Sequence, residues 1–142
     1  MQTSYKQLIT EHDAIEAAAN ALLARLDKGY ASSADLAVQL NTLAVLVEDH
    51  VEREDLIIAG LDEKQLSGPW IEAWREGADA FVRLKSDWTK FLKAWNAEAI
   101  QDDRIGFTAD AHTILGRLRD RVQLETRAFY ATALQTGAIG LR

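Results

Sequence analysis

Three features of the sequence predict an all-α fold, an antiparallel up-down-up-down four-helix bundle. Apolar residues recur at spacings of three and four over long stretches, the period of a helix rather than a strand. Hydrophobic residues make up 48% of the 142 residues and there is a single proline, so long helices can share one core. Glycine, serine and proline punctuate four such stretches. A chain of this length can bury a core of its own, and a single domain over 1–142 is expected.

The first helix is expected from about Ser4 to Lys28. Ser4 and Gln7 suit a capping box, Tyr5, Leu8, His12, Ile15, Ala19, Leu22 and Leu26 form one stripe, and Gly29 suits a C-terminal cap. The second starts after Ser32 or Ser33, carries Leu36, Leu40, Leu43, Val47, His50, Glu54, Ile57 and Leu61 on one face, and has Gly60 near its end. Ser67, Gly68 and Pro69 open the third, proline fitting the first helical position. Its inner face would be Trp70, Trp74, Ala78, Phe81, Trp88, Phe91 and Trp95, as core or, in part, as an aromatic patch for a homodimer or protein partner. A polar stretch around Gln101 to Gly106 separates it from the fourth, Phe107 to about Leu134, with Ala111, Ile114, Leu118, Arg121, Glu125 and Ala128 in line and Gly137 at the end. Short connections make four such helices antiparallel neighbours.

A net charge of −6 with dispersed basic residues disfavours nucleic acid, which demands a clustered basic face. Absence of cysteine excludes disulfides, thiolate metal sites and a cysteine nucleophile, and suits a reducing cytoplasm. Met1 to Leu8 shows no basic stretch followed by an apolar run, and nowhere do eighteen apolar residues follow one another, so neither export nor a membrane span is expected.

His12, His50, Glu54, Arg121 and Glu125 interrupt otherwise apolar stripes at core-facing positions. Buried charge must be paired or ligated. His50 and Glu54 lie one turn apart and about 40° round the helix, so both can reach one interior point, and an antiparallel neighbour can bring His12 to it. Imidazole and carboxylate suit iron, zinc or manganese. His112, about 220° from Glu125 round the fourth helix, is expected to face solvent. Glu16, four residues after His12, is expected on an exposed helix face, with a role as hydrogen-bond partner for the site as the alternative. Glu-x-x-His spacing, a Ser/His/Asp pattern and a phosphate-binding glycine loop are all missing.

The stretches LITEHDAI (Leu8 to Ile15) and LVEDHVEREDL (Leu46 to Leu56) resemble the first two helices of the hemerythrin-like, or HHE cation-binding, family. The resemblance implies a bundle whose two halves repeat and hold a non-heme di-iron centre with bridging carboxylates. An internal repeat is visible. Aligning Leu8 with Trp74 also aligns Ile15 with Phe81, Leu22 with Trp88 and His12 with Ala78. Aligning Glu54 with Glu125 matches Asp49 to Asp120 and Val51 to Val122, and sets His50 on Arg121. The resemblance therefore implies one half of the ligand set: His12 and His50 as terminal ligands, Glu54 and Glu125 as the carboxylates.

One iron, zinc or manganese ion at most is then expected. Reversible dioxygen carriage, which takes two irons in the family, is not. Arg121 is the candidate replacement for the charge of the second metal; with His12, His50, Glu54 and Glu125 as metal ligands it completes the expected site. The competing expectation is a metal-free bundle kept as an interaction or regulatory module. An oxidase-like enzyme would need an open metal position and a substrate pocket, so a binding role is the primary expectation.

Overall fold

Ser4 starts the first helix as the sequence suggests: its hydroxyl accepts from the Gln7 N–H at 3.1 Å. This computed structural model describes residues 4–29, 31–60, 69–130, 134, 137 and 139–141, excluding the side chains of 58, 69, 70, 73, 128 and 129. Its elements are all helical. They are α1 (Tyr5–Lys28), α2 (Ser33–Ala59), α3 (Pro69–Glu76), α4 (Ala78–Ala94), α5 (Ala97–Asp102), α6 (Arg104–Leu124) and a π-helical turn, Glu125–Tyr130. Among the described residues there is no strand, only an isolated bridge between Ser4 and Gly140.

Local chemistry sets most of the boundaries. Gly29 ends α1 at φ 78°, a left-handed conformation costly for any residue with a Cβ, and its N–H bonds the Arg25 carbonyl. Ser32 caps α2, its hydroxyl accepting from the Asp35 N–H.

Among the described residues there are six α-helices where four helical stretches were expected, and the differences have identifiable causes. The third stretch is not continuous: Gly77 separates α3 from α4, at a residue with low intrinsic preference for the helix interior. The polar stretch Gln101 to Gly106 is largely helical rather than a plain loop. Asn96 caps α5 through the Ala99 N–H, and Asp103 caps α6 through the Gly106 N–H, both at 2.9 Å. A Cβ at Gly106 would sit 2.3 Å from the Asp103 carboxylate as it is placed, so a larger residue there would make that side chain shift. The expected fourth helix begins early, at Arg104, and changes to π geometry at Glu125. Leu61, Ser67 and Gly68 lie outside the described residues, as do the side chains of Trp70 and Ala128.

Helix α1 packs on α2 and α6, α4 packs on α6, and α5 contacts α2 and α6. Asp27 meets His112, Asn20 meets Arg119 and His12 meets Glu125, so positions rise along α1 as they fall along α6. Asp87 with Arg117 and Trp95 with Asp110 give the same opposed order for α4 and α6.

Two apolar clusters fill the interior. The larger joins Ile15, Leu22, Leu40, Leu43, Trp88, Phe91, Phe107 and Leu115 with their neighbours. The smaller contains Leu8, Ile71, Tyr130 and Ile139. Of the expected inner tryptophans Trp88 is buried, while Trp74 and Trp95 are half-buried. Leu22 is fully buried and Val38 is 64% exposed. Leu22→Ala should therefore cost about 2–5 kcal/mol in urea unfolding, whereas Val38→Ala should stay within about 0.5 kcal/mol of the unmodified chain.

Candidate metal centre

Three helices each carry the polar residues between the two apolar clusters. On α1, His12 lies between Leu8 of the smaller cluster and Ile15 of the larger. On α2, His50 and Glu54 separate Val47 of the larger cluster from Ile57, which packs on the smaller. Arg121 on α6 and Glu125 at the start of the π turn follow Leu118 of the larger cluster. All five are buried, His12, Glu54 and Glu125 to 2% exposure.

His12, His50, Glu54 and Glu125 come together, with one nitrogen or oxygen from each lying within 4.8 Å of the others. His12 Nε2 is 2.9 Å from His50 Nε2 and 3.0 Å from Glu125 Oε1. His50 Nε2 is 2.7 Å from Glu54 Oε1 and 3.5 Å from Glu125 Oε1. Metal–ligand bonds of about 2.0–2.2 Å place neighbouring donors roughly 2.8–3.6 Å apart in octahedral to tetrahedral arrangements. The observed separations suit donors to one ion, and the donor types suit iron, zinc or manganese.

Outer hydrogen bonds orient both rings. Thr126 donates its hydroxyl proton to the Val122 carbonyl and so receives the Nδ1–H of His12, at 2.9 Å. Glu11 Oε1 accepts from His50 Nδ1 at 2.8 Å, and Glu11 Oε2 accepts from Arg53 Nε at 2.5 Å. With Nδ1 committed as donor on each ring, both Nε2 atoms are turned inward. Two lone pairs at 2.9 Å repel, so a proton or a cation must stand between the imidazoles or beside them.

Glu16, a candidate partner expected more on an exposed helix face, is half-buried, and the residue that takes the outer role is Glu11. Its place in the sequence beside His12 hides this, because neighbouring residues on a helix point about 100° apart and Glu11 reaches across to α2 instead. Exposed His112 pairs with Asp27, outside the site as expected.

Tyr130 is the participant that helical spacing missed. Its side chain is buried, and its hydroxyl oxygen lies 2.5 Å from Glu54 Oε1, 2.9 Å from His12 Nε2, 3.1 Å from His50 Nε2 and 3.3 Å from Glu125 Oε1. On a regular α-helix a residue five beyond Glu125 points about 140° away. The π turn spanning Glu125–Tyr130 is wider, with an i to i+5 repeat, and lets both face the centre.

Arg121 donates from Nε to Glu125 Oε2 at 3.1 Å, leaving Glu125 Oε1 directed at the histidines. Its guanidinium carbon sits 4.0 Å over the Phe81 ring and 5.4 Å from the Trp74 ring. Glu54 Oε2 is buried with no hydrogen-bond partner among the described residues.

These contacts divide the proton affinities. Burial opposes charging of His50, but its hydrogen bonds to Glu125, Glu54 and Glu11, with the Glu54 charge, push it up to about 10. Burial and the nearby Glu125 charge push Glu54 up to about 7. Burial also works against ionised Glu125, yet His12, His50, Glu54 and Arg121 together hold it well below the usual carboxylate range. Burial, then the Glu54 and Glu125 charges, hold the Tyr130 phenol far above its ordinary range.

No protein-family model, curated protein or solved structure matches this chain.

Two outcomes test the electrostatics. His50 takes up its proton more readily folded than unfolded, so the stability it contributes is complete below pH 6.5 and disappears as pH rises through about 10. Glu54, also raised, loses stability over about 4.5 to 7 in the same direction. With EDTA present, the thermal midpoint should fall from pH 7 to pH 10, and His50→Gln should flatten that slope; an equal slope in the variant rejects the assignment. Arg121→Ala removes the cation on Oε2 of buried Glu125, leaving the histidines on Oε1, and should cost about 3–5 kcal/mol in denaturant unfolding, whereas a surface pair would cost under about 1 kcal/mol.

Proposed function

We propose that this chain is a hemerythrin-like four-helix bundle that binds one non-heme metal ion, iron before zinc or manganese, through His12, His50, Glu54 and Glu125. The role that follows is iron, oxygen or redox sensing, or metal buffering, in the cytoplasm. One observation carries the metal reading: two buried imidazoles hold their Nε2 atoms 2.9 Å apart while their Nδ1 atoms are committed to Thr126 and Glu11. Histidines that ligate metals are oriented by this kind of outer hydrogen bond.

The opposed order of α1 and α6, and of α4 and α6, supports the up-down-up-down arrangement. In that arrangement α3 and α4 together form the third bundle helix and α5 the connection to the fourth. Among the described residues no helix is long and apolar enough to cross a membrane.

A bound ion would supply Lewis acidity and, as iron, a one-electron couple. The residues do the rest. His12 and His50 present neutral nitrogen donors, Glu54 and Glu125 present anionic oxygen, and Thr126 and Glu11 fix the ring planes. Arg121 holds Glu125 Oε2, so Glu125 would offer one ion its other oxygen, and the proposal is a mononuclear centre without reversible dioxygen carriage. An apolar hollow of about 30 Å³ beside His50 and Glu125, bordered by Val47, Trp88 and Leu118, has room for about one water-sized ligand.

A second reading has its own support. Protonated His50 and Arg121 together balance Glu54 and Glu125, so the centre can be electrically satisfied as a metal-free interaction module. Metal analysis separates the two. Protein purified without chelator and supplemented with iron or zinc should carry about one equivalent, and His50→Ala less than about a tenth. Under a tenth in both chains rejects the metal reading in favour of the metal-free module.

A further inference from the structure

Tyr130 belongs to none of the ligand patterns considered so far, yet its hydroxyl oxygen touches every donor in the centre. Its separations from the four donors, 2.5 to 3.3 Å, are those of the donors' own nearer pairs, 2.7 to 3.5 Å, within a set that spans up to 4.8 Å. Geometrically it is one more vertex of the same polyhedron. A hydrogen-bonding account leaves a remainder: the phenol has a single proton, directed at Glu54 Oε1, while Glu125 Oε1, at 3.3 Å, is another acceptor facing the same oxygen.

The fold holds this oxygen firmly in place. The Tyr130 ring stacks on the His12 ring, with centroids 4.9 Å apart, and shares the smaller cluster with Leu8 and Ile71. The backbone departs from α geometry over the six residues that carry Glu125 and Tyr130 to the same point. Such π turns are rare, and many of them serve functional sites.

We propose that Tyr130 is a fifth protein ligand, bound through its phenolate oxygen, and that it makes the centre selective for ferric iron over zinc. This rests on the metal-binding reading above. The donor set becomes two imidazoles and three anionic oxygens, a combination suited to a hard, highly charged cation. Iron accepts tyrosine oxygen as a protein ligand elsewhere in protein chemistry. A cation at the centre reverses the electrostatics that otherwise keep the phenol protonated. The phenolic proton and the proton that His50 carries in the metal-free centre both pass to solvent as the ion binds, and no electron is transferred.

The test uses the full chain, stripped with EDTA and then loaded with either ferric citrate or a zinc salt. Ferric loading of the unmodified chain should give an intense visible charge-transfer band and phenolate ring modes in its resonance Raman spectrum. Tyr130→Phe should lose the band and bind ferric iron at least about tenfold more weakly, while its zinc affinity changes less than about threefold. One equivalent of ferric iron bound to the unmodified chain without phenolate modes overturns the proposal, as does a band that persists in Tyr130→Phe. Should Tyr130→Phe fail to fold, the Raman spectrum of the unmodified chain decides alone. Failure of the unmodified chain to take up either metal overturns the metal reading itself, and this inference with it.

Discussion

Two imidazoles that face each other across 2.9 Å in the interior set the terms for everything around them. They cannot remain there as two neutral acceptors, because neither has a proton to give the other once both Nδ1–H groups are directed outward. A proton or a cation must be provided, and the raised proton affinities of His50 and Glu54 show where a proton is held. Once it is provided, Glu54 and Glu125 become stabilising partners instead of buried liabilities. The second layer follows from the same requirement: Thr126 and Glu11 fix the rings, and Arg53 balances Glu11 at the half-buried edge.

The same constraint accounts for the division of the hydrophobic core. A continuous apolar stripe along α1, α2 and α6 would have given one cluster and a more easily satisfied interior. One layer of polar side chains separates two clusters instead, and its removal from water is tolerable only because nearly every buried polar atom in it finds a partner. Glu54 Oε2 is the exception among these oxygens, and it belongs to the carboxylate whose proton affinity is raised. Burial and charge repulsion thus fall on Glu54, while Arg121 relieves Glu125. Two glutamates at equivalent places in an internal repeat acquire different proton affinities from their partners alone.

Sequence patterning located the parts of this arrangement that obey the period of an α-helix. Ser4, Gly29 and Ser32 marked real boundaries because each satisfies a specific backbone group. His12, His50, Glu54, Arg121 and Glu125 stood out because charged groups on apolar stripes require compensation. Tyr130 did not, for two reasons: a tyrosine near a core is unremarkable, and the α period turns it away from Glu125. Nothing in the residues from Glu125 to Tyr130 announces a π turn, whose stability comes from tertiary contacts. Glu11 escaped for a related reason. Its partners are on α2, which spacing within one helix does not reveal. The break at Gly77 was hidden by apolar spacing that continues across it and the short helix at Ala97–Asp102 by the polar residues that end it, although Gly77, Asn96 and Asp103 carry the local preferences that create both.

The two halves of the repeat solve one electrostatic problem with different chemistry. In the first half, Leu8 and Ile15 flank His12 on α1, and the histidines offer lone pairs that need an external cation or proton. In the second half, Trp74 and Phe81 stand at the repeat positions of Leu8 and Ile15, and Arg121 stands at that of His50. Aromatic faces can stabilise a guanidinium where aliphatic side chains cannot, and both rings lie against Arg121. The exchange of histidine for arginine is therefore coherent with the exchange of aliphatic for aromatic neighbours. The second half contains its own fixed cation, which cannot be titrated away or removed by a chelator. The charge that the first half supplies can come and go, because His50 can gain or lose its proton. A change in metal or proton occupancy there acts on Glu54 and Tyr130, while Glu125 remains tied to Arg121 on its other oxygen.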